Sequence, residues 1–191
     1  MEHHISAPLT RELTRQLKCG DRVYLSGTIY TARDAAHKRF VETLEQGGEL
    51  PFPIQGAVIY YVGPTPAAPG HVIGSAGPTT SYRMDAYAPT LLKLGQLGMI
   101  GKGKRNAEVI AAMKEAGAVY LGAVGGAGAL LAKAIKEAEV IAYPDLGAEA
   151  VRRLRVEEMP LLVLIDCEGH NLYEEGPKNW LHEQQGNGES L

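Results

Sequence analysis

Three cations and a pair of threonines stand at positions where their types could do chemistry. Arg33 opens a helical pattern, where the positive end of the helix dipole disfavours a cation by roughly 0.3–1 kcal/mol. A residue that breaks its local rule is a functional candidate. There, free backbone N–H groups and a guanidinium can converge on one carboxylate. Arg83 closes the longest run without Asp, Glu, Lys or Arg, residues 50 to 82, and follows Thr79-Thr80-Ser81 directly, so hydroxyls and a fixed positive charge share one loop. Lys102 lies between Gly101 and Gly103 at the end of an apolar stretch, which permits close backbone approach and puts a cation at a rim. Together the three cations describe a pocket for a small dianion. The competing reading makes each a solvated surface charge.

Other candidate chemistries fail on spacing. Gly101-Lys102-Gly103-Lys104 departs from the phosphate-binding loop twice, with Gln96 in place of the first glycine and Gly103 in place of Ser or Thr. Gly125-Gly126-Ala127-Gly128 lacks the dinucleotide fingerprint because Leu131 holds the last glycine position. The six histidines form no ligand pair on one helical face apart from adjacent His3-His4, and a mobile terminus is expected there. No metal site is therefore expected. His37, four residues after Arg33, can face the same cleft, but a lone histidine on a helix is more often structural or solvated. The two cysteines, Cys19 and Cys167, are far apart and cannot supply the three or four thiolates of a zinc or iron–sulfur centre, so no such cofactor is expected on this chain alone.

The elements that must position these residues follow from periodicity and breakers. Leu9, Leu13 and Leu17 at helical spacing after Thr10 predict a short helix. Residues 22–30, rich in β-branched and aromatic side chains, predict a strand with a kink at Gly27. Thr31 with Asp34 approximates a capping box for a helix over 32–46 that carries Ala36, Phe40 and Leu44 and stops at Gly47-Gly48. Strands are predicted at 57–62 and 71–75 across a proline-rich loop, then a helical stretch after Ser81, a helix over 90–97 and a strand over 99–104. Asn106 and Gly117 bracket a helix, followed by a strand at 118–124, a turn at Gly125-Gly126, a helix over 128–138 and strands at 140–143 and 161–165. Strands interrupted unevenly by helices fit a three-layer α/β domain better than a regular doubly wound sheet.

Length and composition set outer bounds. With 191 residues, 45% hydrophobic and 21% charged, the chain reads as one globular domain over 1–175 with a partly ordered tail over 176–191. Nineteen basic against 22 acidic residues argue against a general nucleic-acid binder. Six prolines and five glycines within residues 50–82 rule out a membrane-spanning helix there. The N-terminus lacks the basic and apolar regions of a signal peptide, and two cysteines suit a reducing compartment, so a cytoplasmic location is expected.

The stretches Gly27-Thr28-Ile29-Tyr30-Thr31-Ala32-Arg33-Asp34-Ala35-Ala36-His37, Tyr61-Val62-Gly63-Pro64, Gly77-Pro78-Thr79-Thr80-Ser81-Tyr82-Arg83-Met84-Asp85, Met99-Ile100-Gly101-Lys102-Gly103 and Gly125-Gly126-Ala127 carry a resemblance. In that order, spanning about Gly20 to Gly169, they resemble the β subunit, or C-terminal domain, of class I fumarases and the related L-tartrate dehydratases. The resemblance implies the family's swivelling β/β/α domain with a mixed sheet. It implies the β subunit of a [4Fe-4S] hydro-lyase that interconverts fumarate and L-malate, with the cluster held by a separate α subunit and none bound by this chain. By residue matching, Arg33, Arg83 and Lys102 would grip the two carboxylates, and Thr79, with Thr80 beside it, would remove the C3 proton of malate. A heterodimer or heterotetramer is implied. The alternatives are the β subunit of an L-tartrate dehydratase and a dicarboxylate-binding module without turnover.

Overall fold

A computed structural model describes residues 1–123 and 128–174. Seven strands form one mixed sheet: β1 (Glu2–Ala7), β2 (Arg22–Thr31), β3 (Val58–Tyr60), β4 (Gly98–Gly101), β5 (Val119–Ala123), β6 (Ile135–Ala142) and β7 (Val151–Ile165). Among the described residues five α-helices lie in the connections: α1 (Arg11–Thr14), α2 (Asp34–Glu45), α3 (Ala88–Lys93), α4 (Ala107–Ala116) and α5 (Gly128–Ala134). The pairings β1·β2, β2·β3, β3·β4 and β4·β5 are parallel, whereas β7 runs antiparallel to β2, β5 and β6. Because β7 pairs along β2 with one edge and with β5 on the other, β2, β3, β4, β5 and β7 close into a ring of hydrogen bonds.

The local sequence explains these roles. Every residue of β3, β4 and β5 is buried, and each strand is a continuous apolar or glycine run, as parallel strands covered on both faces require. β2 alternates instead, with Val23, Leu25 and Ile29 in the core. The expected kink at Gly27 is a register shift between Leu25 and Gly27. Gly27 has φ +101°, and a Cβ there would lie 2.5 Å from the Ala7 carbonyl oxygen, so only glycine fits. α4 forms as its ends predict: the Asn106 side chain accepts from the Val109 N–H at 2.9 Å, and Gly117 closes the helix at φ +75°.

Several expectations are corrected. Residues 71–75 form no strand; Ser75 folds back on Thr65, donating its N–H to Thr65 Oγ1 at 2.8 Å and accepting from the Thr65 N–H at 3.1 Å. The expected helix over 128–138 stops at Ala134, because Glu137 and Glu139 line up on β6 against Arg155 and Arg153 of β7 as cross-strand ion pairs. The terminus carrying His3-His4 is the paired strand β1, in register with β2 from Glu2↔Arg22 to Ala7↔Gly27. Residues 151–160, not predicted as a strand, are two-thirds of β7, where register shifts disturb the alternation that would have marked them. The helices expected over 9–17 and 90–97 are the shorter α1 and α3, and the stretch after Ser81 is a single 3₁₀ turn, Ser81–Met84. Val124, the turn Gly125-Gly126-Ala127 and the tail over 176–191 lie outside the described residues.

Candidate functional site

The candidate residues sit where the parallel strands end. Arg33 follows β2, Tyr61 to Gly63 follow β3, and Lys102 follows β4. These are the carboxyl ends of neighbouring parallel strands, the edge at which α/β sheets place their ligands. The segment Thr79–Arg83 is laid across the same edge by backbone bonds: the Thr79 N–H donates to the Tyr61 carbonyl at 2.8 Å, and Thr80 bridges to Lys102. Segments about twenty residues apart in sequence are thereby joined, with Thr79 and Thr80 half-buried and Arg83 and Lys102 exposed.

Arg33 is the N-cap of α2, not a first-turn residue. Thr31 does not cap the helix as the sequence suggested. It ends β2 with its hydroxyl donated to the Ala150 carbonyl at 3.3 Å and accepting the Arg152 N–H at 3.0 Å, so the sheet consumes the side chain that a cap would need. The Arg33 side chain makes no capping bond. Its Nη2 lies 3.2 Å from Glu149 Oε1, and its Nε is buried without a hydrogen-bond partner. A Cβ on Gly63 would come within 2.8 Å of Arg33 Nη1, so the bare backbone after β3 is what lets the guanidinium lie there. Glu149 and Glu-free loop 79–83 thus leave Arg33 partly committed, while Arg83 and Lys102 have no carboxylate within 4.0 Å among the described residues.

His37 is part of the support and not of the exposed face. It is fully buried on α2, against the rings of Tyr61 and Phe40 at 5.4 and 5.6 Å. Its Nδ1 lies 2.8 Å from the Arg33 carbonyl, which can only accept, so Nδ1 carries the proton and Nε2 is a bare lone pair without a partner. Burial pushes its pKa down from 6.5 to about 4, with the Arg105 charge adding to the effect and the bond to Arg33 opposing it. It is neutral at pH 7.

Beneath the 79–83 segment lies an ion pair that sequence reading missed. Arg105 Nε donates to Asp85 Oδ1 at 2.7 Å and the Asn106 N–H donates to Asp85 Oδ2 at 2.8 Å, both acidic oxygens being used. The Arg105 guanidinium lies over the rings of Tyr61 and Tyr120, 5.3 and 5.1 Å from their centroids. Its side chain is wholly buried, which no periodicity at Lys102–Arg105 announces. Asp85 itself belongs to the Thr79–Asp85 stretch, so half of the pair was in view. Two adjoining cavities, of about 610 and 530 Å³, are lined by residues 64–75 with parts of α5, β6 and the 144–152 segment, and include none of the five candidates. At the sheet edge Arg83 and Lys102 are exposed, and Arg33, Thr79 and Thr80 are half-buried.

A family model described as Fumarase C-terminus matches residues 2–176. The chain is 39% identical over 165 residues to Fumarate hydratase 2 of Leishmania major, covering 85% of this chain and 29% of that protein. It is 40% identical over 162 residues to the anaerobic class I fumarate hydratase of Escherichia coli K12, 84% of this chain and 30% of that protein. A protein of Methanocaldococcus jannaschii that carries the name L(+)-tartrate dehydratase subunit beta is 40% identical over 173 residues, 87% of this chain and 89% of that one. The chain thus spans about three-tenths of the length of the two fumarate hydratases and nearly all of the β subunit.

Proposed function

The chain belongs to the family of fumarase C-terminal domains, and from that premise we propose that it is the β subunit of a hydro-lyase that interconverts fumarate and L-malate. The observation that carries this reading is the assembly of Arg33, Thr79, Thr80 and Lys102, with Arg83 one 3₁₀ turn away, on one edge of the parallel strands. A separate α subunit supplies the opposite wall, in a heterodimer or heterotetramer. The match to nearly the full length of a protein named as a β subunit supports that division. The resemblance also brings a [4Fe-4S] cluster, which this chain's donors do not fit: its two cysteines are Cys167, buried, and Cys19, whose sulfur faces the Leu164 carbonyl at 3.6 Å. We assign the cluster to the α subunit. The ring-closed sheet supports the three-layer swivelling β/β/α arrangement, in which the domain turns as a body over the partner. No helix among the described residues is long and apolar enough to cross a membrane. A cytoplasmic location is part of the proposal.

This chain's part in the reaction is binding and proton transfer. Arg33, Arg83 and Lys102 take the two carboxylates of the substrate, with Arg33 exchanging Glu149 for a substrate oxygen. Thr79 Oγ takes the C3 proton of malate as the C2 hydroxyl departs, and returns it in the reverse direction. A hydroxyl serves as base at neutral pH only where cations favour its ionised form and water is excluded. Three cations on the same edge, covered by the partner, meet that need.

The test is steady-state turnover by the reconstituted pair with malate, fumarate and L-tartrate. Arg83→Ala and Lys102→Ala, both exposed, are expected to lower kcat/KM by about 10- to 1,000-fold with the fold intact, and Thr79→Ala to lower kcat by a similar factor. Wild-type turnover in Thr79→Ala sinks the base assignment. Dehydration of malate by the single chain without iron sinks the two-subunit reading, and binding of malate by the assembled pair without turnover would leave a dicarboxylate-binding module. A second reading, the L-tartrate dehydratase β subunit, is favoured by the length match to the protein of that name, and a strong preference for tartrate would establish it.

A further inference from the structure

Lys102 projects into solvent from a backbone that is held on every side. Its N–H donates to Ser81 Oγ at 3.1 Å, and its carbonyl accepts the Ser81 N–H at 2.9 Å. The next N–H, of Gly103, donates to Tyr173 Oη at 3.0 Å, and the Gly103 carbonyl lies 3.0 Å from Tyr120 Oη. All four peptide groups of the two residues are thus bonded to Ser81, Tyr120 and Tyr173. Exposed loops ordinarily give such groups to water. Tyr120 Oη is also 2.8 Å from Ser81 Oγ, and its single proton can serve only one neighbour. The Gly103 carbonyl has no proton to offer, so Tyr120 donates to it and Ser81 donates to Tyr120. One directed chain results, from the Lys102 N–H through both hydroxyls to the Gly103 carbonyl. Ser81 and Tyr120 are wholly buried, and Arg105 covers the Tyr120 ring.

The glycines around Lys102 have matching reasons. A Cβ on Gly101 would lie 2.0 Å from Ser81 Oγ, and Gly103 sits at φ +86°.

We propose that Ser81, Tyr120 and Tyr173 are positioning residues that hold Lys102 at a fixed place relative to Thr79 and Thr80. The proposal rests on the reading of Lys102 as a carboxylate ligand. Lysine has a flexible four-carbon stem, so the volume its ammonium searches is set by how firmly its backbone is held. Ser81 follows Thr80 directly, and its hydroxyl and N–H are both tied to Lys102. The segment that carries the base and the segment that carries the cation therefore move as one unit. Misplacement of such groups by even about 1 Å can cost 100-fold in rate.

The experiment uses the assembled α–β enzyme with whichever of malate, fumarate or L-tartrate it turns over. Tyr120→Phe and Tyr173→Phe keep the rings and remove the hydroxyls. Each is expected to lower kcat/KM, by about tenfold and about threefold, with the melting temperature within about 3 °C of wild type. In a Lys102→Ala background, either change is expected to cost less than about twofold more, because the residue it positions is gone. Losses that multiply in full in that background mark a merely structural role and overturn the proposal. The backbone amide of Lys102 gives a readout besides activity. Hydrogen exchange in the segment containing it is expected to accelerate at least about tenfold in Ser81→Ala, and unchanged exchange overturns the clamp. Should Tyr120→Phe not fold, Tyr173→Phe and the exchange measurement carry the test. If Lys102→Ala leaves kcat/KM intact, the functional reading of Lys102 fails instead, and faster exchange still reports whether the clamp exists.

Discussion

His37 gives the protein a stability that depends on pH in a defined direction. Its folded pKa of about 4 lies below the ordinary 6.5 because burial disfavours the charged ring. Between these two values the unfolded chain binds a proton that the folded chain does not, so stability is full above about pH 6.5 and is lost as pH falls toward 4. The whole difference amounts to about 3 kcal/mol, of which about 2 kcal/mol is lost by pH 5. The position matters to the site, since the proton on Nδ1 is donated to the carbonyl of Arg33 and protonation at Nε2 would put a charge against Tyr61 and near Arg105. The perturbation is His37→Gln, which keeps an N–H donor and does not titrate. Urea unfolding followed by far-ultraviolet circular dichroism from pH 8 to pH 5 measures it. Wild type is expected to lose about 2 kcal/mol more than His37→Gln over that interval, whatever the absolute stabilities. Parallel pH curves for the two proteins would refute the reasoning, since every other titrating group is common to both.

Two further outcomes follow from the ground beneath the site. Arg105→Met leaves the Asp85 carboxylate buried without its cation and is expected to cost about 3–5 kcal/mol in urea unfolding, part of which the double variant Asp85→Asn with Arg105→Met should recover. A loss below about 1 kcal/mol for Arg105→Met would show that the pair carries little. Gly101→Ala forces a methyl to within 2.0 Å of Ser81 Oγ and is expected to cost about 1–3 kcal/mol and to lower kcat/KM as Lys102 is displaced. Wild-type stability and kinetics together in that variant would show that the strand end can relax at no cost.

How far the sequence could be read depended on the range of the interactions involved. The strand at 22–31 and the helix bracketed by Asn106 and Gly117 were legible because period and caps are local: alternating apolar side chains in one, an Asn oxygen three residues from its N–H and a left-handed glycine in the other. Thr31 misled for a non-local reason. Its hydroxyl goes to Ala150 and Arg152, more than a hundred residues away, so the helix starts two residues later and Arg33 becomes the cap. β1 and the first two-thirds of β7 were invisible for the same kind of reason. Short or bulged strands bearing Arg, Glu and His show little apolar alternation, and they are strands because β2 offers them its two edges. The loop at 71–75 shows the converse error, a β-branched run that its own proline-rich surroundings fold back on Thr65.

By itself the sequence determined which residue types are present and where cations and hydroxyls interrupt neutral segments. It thereby named Arg33, Thr79, Thr80, Arg83 and Lys102, and through the order of their motifs the family. What it could not contain is that Thr80 lies beside Lys102, that Arg33 rests on Gly63, or that Arg105 and Asp85 are buried as a pair under Thr79–Arg83. Those are decided by the parallel pairing of β2, β3 and β4, which brings their carboxyl ends to one edge, and by hydrogen bonds between segments that have no local reason to meet. Local chemistry chooses the candidates, and long-range pairing alone makes them neighbours.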